Sequence, residues 1–433
     1  MVAAVRDKTA RRAGRPGRIA TRLALGLALA SAASAAAAAG TSATLTLDDA
    51  AERAAASAPA VAAGRARETS AAADLERAGR LPDPQLELGV QNVPVQGSTA
   101  LNLNADPTTM RVIGISQDIP STAALDADRA GARAAGDAAR ADVAQSAIAA
   151  RQAGAAAWVA LWSARLSERE LAALADEAAL AVAAARARLA GGTGTATDVL
   201  AAQASAAALA NRQDAARGNE AAALASLQRW IGPVSGQLAP APDFSRLPLP
   251  MARLMGEPDS QGPMLGWGAR IAAAEAALSR ARASVHPDWR ISASYGVRAP
   301  GLPAMASVQL GMRLPLFAAE REDRDIDARA ADLQALRDQR EDARRAEVEA
   351  VAQALARWRS LNAQIARDQT TLLPLTQERV ATALAAYRGG GALQPWIDAE
   401  QAAIATRIDW IDAQAERARA WTRLAYLSPE SPR

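Results

Sequence analysis

The sequence predicts a mainly α protein with a membrane β-barrel, in which each chain supplies two tandem structural repeats, long coiled-coil helices and four β-strands. Three observations predict it. Apolar residues recur at spacings of 3, 4 and 7 over two very long stretches, which marks helices. A glycine cluster ends each stretch, at Gly191-Gly192 and at Gly389-Gly390-Gly391. Upstream of each lie paired runs of period two, which marks strands. Composition removes much other chemistry. With no cysteine among 433 residues there is no disulfide framework, thiolate metal site or lipid-modified N-terminal Cys. His286, the single histidine, cannot build a His-rich metal site. No metal site and no cofactor are expected.

The first element is a leader. Arg6, Lys8, Arg11, Arg12, Arg15, Arg18 and Arg22 against Asp7 give residues 1–39 a net charge of +6 within a total of +3, so the remainder carries −3. An apolar run from Leu23 to Ala30 and a small-residue region to Gly40 follow. Basic, apolar and small-residue segments in that order predict a signal peptide over 1–39, cleaved near Ala39. The basic pI near 9.9 therefore belongs to the leader, and a nucleic-acid partner is excluded on the charge of the mature chain. No later apolar run is long enough for a helical membrane span.

The first repeat is expected over 44–230: an opening helix, a β-hairpin at about 84–119, a long helix at about 122–190, a tip at 191–198 and a helix to 230. The long helix carries Val143, Ile148, Trp158, Leu161, Leu166, Leu171, Leu174 and Leu180. At 1.5 Å per residue it would reach about 100 Å, so it must coil against partners. Residues 231–262, rich in Pro and Gly, form a connecting segment expected to fill a belt at mid-height. The second repeat is expected over 263–427, with a hairpin at about 288–316, a long helix at about 319–388 bent at Pro374, a tip at 389–395 and a helix to 427; 428–433 form a tail. The tips superpose at an offset of 198, Gly191 on Gly389, Gly192 on Gly390, Val199 on Ile397 and Gln203 on Gln401, which indicates duplication. Thr197 and Pro395 suit the new helix starts.

The strands follow from alternation. Leu86, Leu88 and Val90 alternate with polar or small residues, as do Ile291, Ala293, Tyr295 and Val297, and Val308, Leu310, Met312, Leu314 and Leu316; Met110 to Ile119 is mixed. Runs of about 9 to 10 residues match membrane β-strands. A soluble sheet would alternate too. Four strands in two separated hairpins, however, leave open edges and close no barrel in one chain, whereas three copies supply 12.

Several motifs together resemble the TolC-like outer-membrane efflux channel family, over essentially the whole mature chain. Leu45-Thr-Leu-Asp-Asp-Ala-Ala-Glu52 with Ser57-Ala-Pro59 is similar to its opening helix, Gly192, Thr195 and Asp198-Val-Leu-Ala-Ala-Gln203 to its first tip, and Ala386-Tyr387-Arg-Gly-Gly-Gly391 to its second. Leu81-Pro-Asp-Pro-Gln-Leu86, Gln91-Asn92-Val-Pro94 and Met110 to Asp118 resemble the branch serving heavy-metal efflux pumps of the resistance-nodulation-division class. The resemblance implies a homotrimer with a 12-stranded barrel in outer-membrane lipid and an α-helical tunnel in the periplasm. It also implies tips that meet a periplasmic adaptor (membrane fusion) protein and, through it, an inner-membrane resistance-nodulation-division pump. Abundant alanine fits closely packed helices around a wide ring. The chain departs from many relatives in lacking the lipidated Cys and in having few aromatics for an interfacial girdle.

The residues assigned to adaptor docking are Gly191, Gly192, Thr195, Asp198, Gly389, Gly390 and Gly391, against a plain helix-turn role. Asp176, Glu177 and Glu378 are candidates for a periplasmic gate, against a solvated helix face. Trp158 and Trp162 read as packing residues, His286 as structural, and Met110 and Met312 as strand residues. A passive, non-enzymatic exit duct for heavy-metal cations is the leading function. The alternatives are a duct for drugs or other small molecules, and a periplasmic coiled-coil adaptor without a barrel. A Ser-His-Asp enzyme would have to use His286 with no serine motif around it.

Overall fold

Thr46 starts the first helix by chemistry local to it. In this computed structural model, which describes residues 44–429 apart from Thr99, Ser235, Gly236 and Glu257, its hydroxyl accepts from Asp49 N while the Asp49 carboxylate accepts from Thr46 N, a capping box for α1 (Leu47–Ser57). The leader expected over 1–39 and residues 430–433 of the tail lie outside the described residues. Ala58 is extended because Pro59 follows it, so the opening helix is two helices, α1 and α2 (Pro59–Arg77). Strands β1 (Gln85–Gln91) and β2 (Met110–Ile119) come next.

The helix expected over 122–190 is two segments, α3 (Thr122–Ala173) and α4 (Ala175–Ala190), parted at Leu174. Three side chains stabilise the break. Gln213 donates its side-chain amide to the freed Leu171 carbonyl at 2.9 Å, and Asp176 and Glu177 place negative charge in the first turn of α4. α5 (Ala196–Ile231) completes the repeat. After the short α6 (Met251–Gly256) come α7 (Trp267–Ala283), β3 (Trp289–Val297) and β4 (Met305–Met312). The second long helix starts at Glu322, not at 319, because residues Ala318–Glu320 form a 3-10 turn. It runs as α8 (Glu322–Arg367), a π segment (Asp368–Leu372) and α9 (Leu373–Arg388). Pro374 has no N–H for the Thr370 carbonyl, and the helix widens there, Leu373 N reaching back to Asp368 O. α10 (Gln394–Ala425) ends the fold.

Helix α3 packs on α1, α2, α5, α7 and α10, and α8 on α7 and α10. Small residues allow close approach: a Cβ on Gly154 of α3 would stand 2.5 Å from the Ala54 Cβ and 2.7 Å from the Ala50 carbonyl of α1. Beside it Trp158, Val159 and Leu161 are fully buried. The connecting segment supplies Phe244, whose ring meets Trp162 and Trp421 edge-on at 5.7 and 5.4 Å. Its backbone accepts from two indoles, Trp358 at Phe244 O and Trp421 at Arg246 O. A separate small unit contains Leu45 and residues 237–239, where Leu45 bridges Leu238 in parallel.

The two hairpins are not separate. They join through β2 and β3 into one antiparallel sheet of order β1-β2-β3-β4, with Leu88 opposite Ile113, Ile113 opposite Tyr295, and Tyr295 opposite Ala306. Within the described residues of this chain, β1 and β4 each keep one edge unpaired.

Candidate functional site

Three parts of the molecule are candidates for function: the sheet, the paired tips and a cavity lined by helices of both repeats. In an antiparallel ladder directly opposed residues share a face. The register therefore collects Leu86, Leu88, Val90, Ile113, Ile115, Ile119, Trp289, Ile291, Ala293, Tyr295, Val297, Ala306, Val308, Leu310 and Met312 on one side. This side is uncovered: Leu88 is 73%, Val308 79% and Leu310 64% exposed. The opposite face holds Glu87, Ser116, Asp118, Arg290, Ser292, Ser294, Ser307 and Gln309. There Arg290 grips Asp118 through two bonds, and Ser116 donates to Glu87. Arg111 and Gln117, which made β2 read as mixed, are the polar members of the apolar face and lie toward the two ends of β2; Arg111 bonds Asn104 of the loop and Gln117 the Pro82 carbonyl. Exposed Leu314, Leu316 and Phe317 continue the apolar surface past β4.

The tips repeat one turn twice. Gly191 N and Gly389 N bond the carbonyls of Ala187 and Ala385, each at 3.0 Å, and Gly192 N and Gly390 N bond Leu189 and Tyr387, each at 3.1 Å. Gly192 and Gly390 adopt φ of 71° and 99°, the left-handed region that an L side chain resists. A Cβ on Gly391 would lie 2.9 Å from the Ala386 carbonyl. The helix starts diverge. Thr195, not Thr197, caps α5: its hydroxyl accepts from Asp198 N and the Asp198 carboxylate accepts from Thr195 N, both at 3.1 Å. At the equivalent positions of the second tip stand Leu393 and Trp396, both buried, with Pro395 in the first turn of α10. Trp396 stacks on Tyr387 at 5.4 Å, so one tip is capped by hydrogen bonds and the other by packing. Arg188, absent from the sequence expectation, joins them and contacts both turns.

Farther from the turns, Glu170, Leu174, Glu177, Leu373, Val380 and Glu400 help line a cavity of about 580 Å³. Both helix interruptions border it, through Leu174 and Leu373. All three gate candidates are exposed, and of them Glu177 lines the cavity while Asp176 and Glu378 lie outside its lining. Glu400 was not legible as a site residue, although it interrupts the buried stripe Trp396, Ile397, Ile404 of α10. Its carboxyl is pushed up to about 7, first by burial and then by the Glu177 charge. Arg407, on the same helix, is taken by Glu170 at 2.6 Å.

No protein-family model and no curated protein matches the sequence. Solved structures do. CusC, described for the conformational changes accompanying folding and transmembrane channel formation, superposes with a TM-score of 0.72 at 19% identity, over 87% of this chain and 91% of that one. The outer membrane protein VceC of Vibrio cholerae gives 0.71 at 18% identity, over 89% and 97%. The open state of the MtrE outer membrane channel of Neisseria gonorrhoeae gives 0.67 at 17%, over 87% of each. The chain has the fold of these outer-membrane channels. The mainly helical body with its few antiparallel strands is shared along nearly the full length.

Proposed function

We propose that the chain is one protomer of a homotrimeric exit duct that passively conducts substrate out of a tripartite efflux pump. The sheet sits in the outer membrane and the helices form a periplasmic tunnel. The observation that carries this reading is the sheet: one largely uncovered face is apolar on all four strands apart from Arg111 and Gln117 near the ends of β2, the other is mostly polar, and among the described residues both edges are unpaired. A bare apolar face of that extent is unfavourable in water, open edges there invite pairing with another chain, and in lipid such edges find no hydrogen-bond partner at all. Lipid against the face and a neighbouring copy against each edge satisfy both, and three copies give the even 12 strands of a closed barrel. A periplasmic adaptor protein docks at the tips Gly191, Gly192, Thr195, Asp198, Gly389, Gly390 and Gly391, an inner-membrane resistance-nodulation-division pump lies beyond it, and Asp176, Glu177 and Glu378 belong to the periplasmic gate.

Fractionation with unboiled and boiled gel electrophoresis tests the duct: a heat-modifiable oligomer in the outer membrane is expected, and a soluble periplasmic monomer would refute it. Heavy-metal cations are the proposed cargo, on the resemblance of Leu81 to Leu86 and Met110 to Asp118. Deleting the gene and scoring sensitivity to copper, silver, zinc, cobalt and hydrophobic drugs tests that part separately. Sensitivity to drugs alone would move the cargo to the drug class and leave the duct standing.

A further inference from the structure

Superposing the repeats at their offset of 198 sets Gly191 on Gly389 and Gly192 on Gly390, but in the helix just before them it sets Arg188 on Ala386 and Leu189 on Tyr387. The two departures from the repeat meet in space. The Arg188 guanidinium lies 4.4 Å from the centroid of the Tyr387 ring, and its nitrogens donate to the carbonyls of Tyr387 at 2.9 Å, Gly391 at 3.1 Å and Gly390 at 3.4 Å in the second tip. The same side chain donates to Thr193 O, at 3.2 Å, in its own tip. These carbonyls include ones the ending helices leave without helical partners, so one cation satisfies acceptors of both turns. Its planar fork and its stacking on an aromatic face are properties lysine lacks. Arg188 is half-buried, whereas Leu189 next to it in sequence and Leu200 in the second turn of α5 are exposed.

We propose that Arg188 clasps the two tips into a single rigid docking face, so that the partner protein engages both turns at once and not either alone. Arg188 is a positioning residue: it sets the spacing of the turns and leaves the exposed apolar side chains and the turn backbone to the partner. This inference rests on the tips being the docking site.

Two measurements separate the clasp from the docking. The cysteine-free chain accepts spin labels only where they are placed, at Thr193→Cys and Ala392→Cys. The wild-type background should give a narrow inter-tip distance distribution, Arg188→Ala a broad one and Arg188→Lys an intermediate one. A distribution as narrow in Arg188→Ala as in wild type would overturn the clasp. In cells, a photo-reactive amino acid at Leu200 reports docking through its cross-linked product. Arg188→Ala should lower that product about tenfold, the equivalent of one hydrogen bond to a charged group, with the outer-membrane oligomer intact and partial recovery in Arg188→Lys. Loss in Gly192→Val with full retention in Arg188→Ala would refute the clasp's role and leave the docking site standing. No product from the wild type would remove both.

Discussion

Glu400 offers a stability test whose sign and size follow from its surroundings. Burial is the main penalty on the charge of this carboxyl, the Glu177 carboxylate lining the same cavity adds to it, the Trp396 indole offsets part of it, and the own-helix cation Arg407 is committed to Glu170. Folding therefore favours the protonated form. Between its ordinary 4.5 and the folded value of about 7, the folded chain holds a proton that the unfolded chain has released. Stability is fully present below about pH 4.5 and declines as pH rises to about 7, after which the loss is complete. At 1.36 kcal/mol per pH unit that interval corresponds to about 3 kcal/mol at most, and water at the cavity mouth reduces it to about 1–2 kcal/mol. Glu400→Gln keeps the shape and never ionises. The variant should be more stable than wild type by about 1–2 kcal/mol at pH 8, a rise of a few degrees in melting temperature, and no more stable at pH 4. Thermal unfolding of the detergent-solubilised protein, followed by circular dichroism across that range, measures it. A gain of equal size at every pH, or a loss at pH 8, would refute the electrostatic origin. Glu177→Gln should give a smaller gain, because it removes only the second contribution.

Gly154→Ala drives a methyl group into Ala54 and the Ala50 carbonyl; a cost of about 1–3 kcal/mol is expected, and pairing it with Ala54→Gly should recover part of the loss in the same melting assay. Leu88→Arg places a charge on the uncovered apolar face and should cost about 2–4 kcal/mol of membrane insertion, read as a depleted outer-membrane oligomer, while Ser307→Arg on the opposite face should insert normally. Thr195→Ala removes the side-chain acceptor from Asp198 N; about 1 kcal/mol is expected, visible as faster amide exchange at residues 196–199 with no change in the second tip.

Much of this was legible in the sequence because period and length are local properties. The 3, 4 and 7 spacings placed the long helices, and strict alternation placed β3 and most of β4, although the alternation runs on to Leu316 where the strand ends at Met312. β2 resisted because Arg111 and Gln117 break its alternation, and only the pairing with Leu88 and Tyr295 shows that Ile113 and Ile115 belong to a continuous apolar face. The break at Leu174 left no local mark, since its partner Gln213 comes from another helix. The start of α5 was readable but misassigned: Thr195 with Asp198 three residues on is a capping box, and Thr197 has no such partner. Arg188 and Glu400 were hidden for a common reason. Each is an ordinary charged residue on a helix, and its meaning comes from what the other repeat, or a neighbouring helix, sets against it.

The two sheet edges left unpaired among the described residues also have a genetic consequence. In the proposed trimer, a strand that borrows its hydrogen bonds from another copy exports its own faults to that copy. A substitution that spoils β1 or β4 without preventing synthesis would be incorporated beside sound subunits and disable rings to which they contribute. Such alleles should behave as dominant, even when a wild-type gene is present. Substitutions that unfold the interior of one helical repeat remove the subunit before it can assemble and should behave as recessive. The location of a mutation on the sheet or in the helices would thus be readable from inheritance alone.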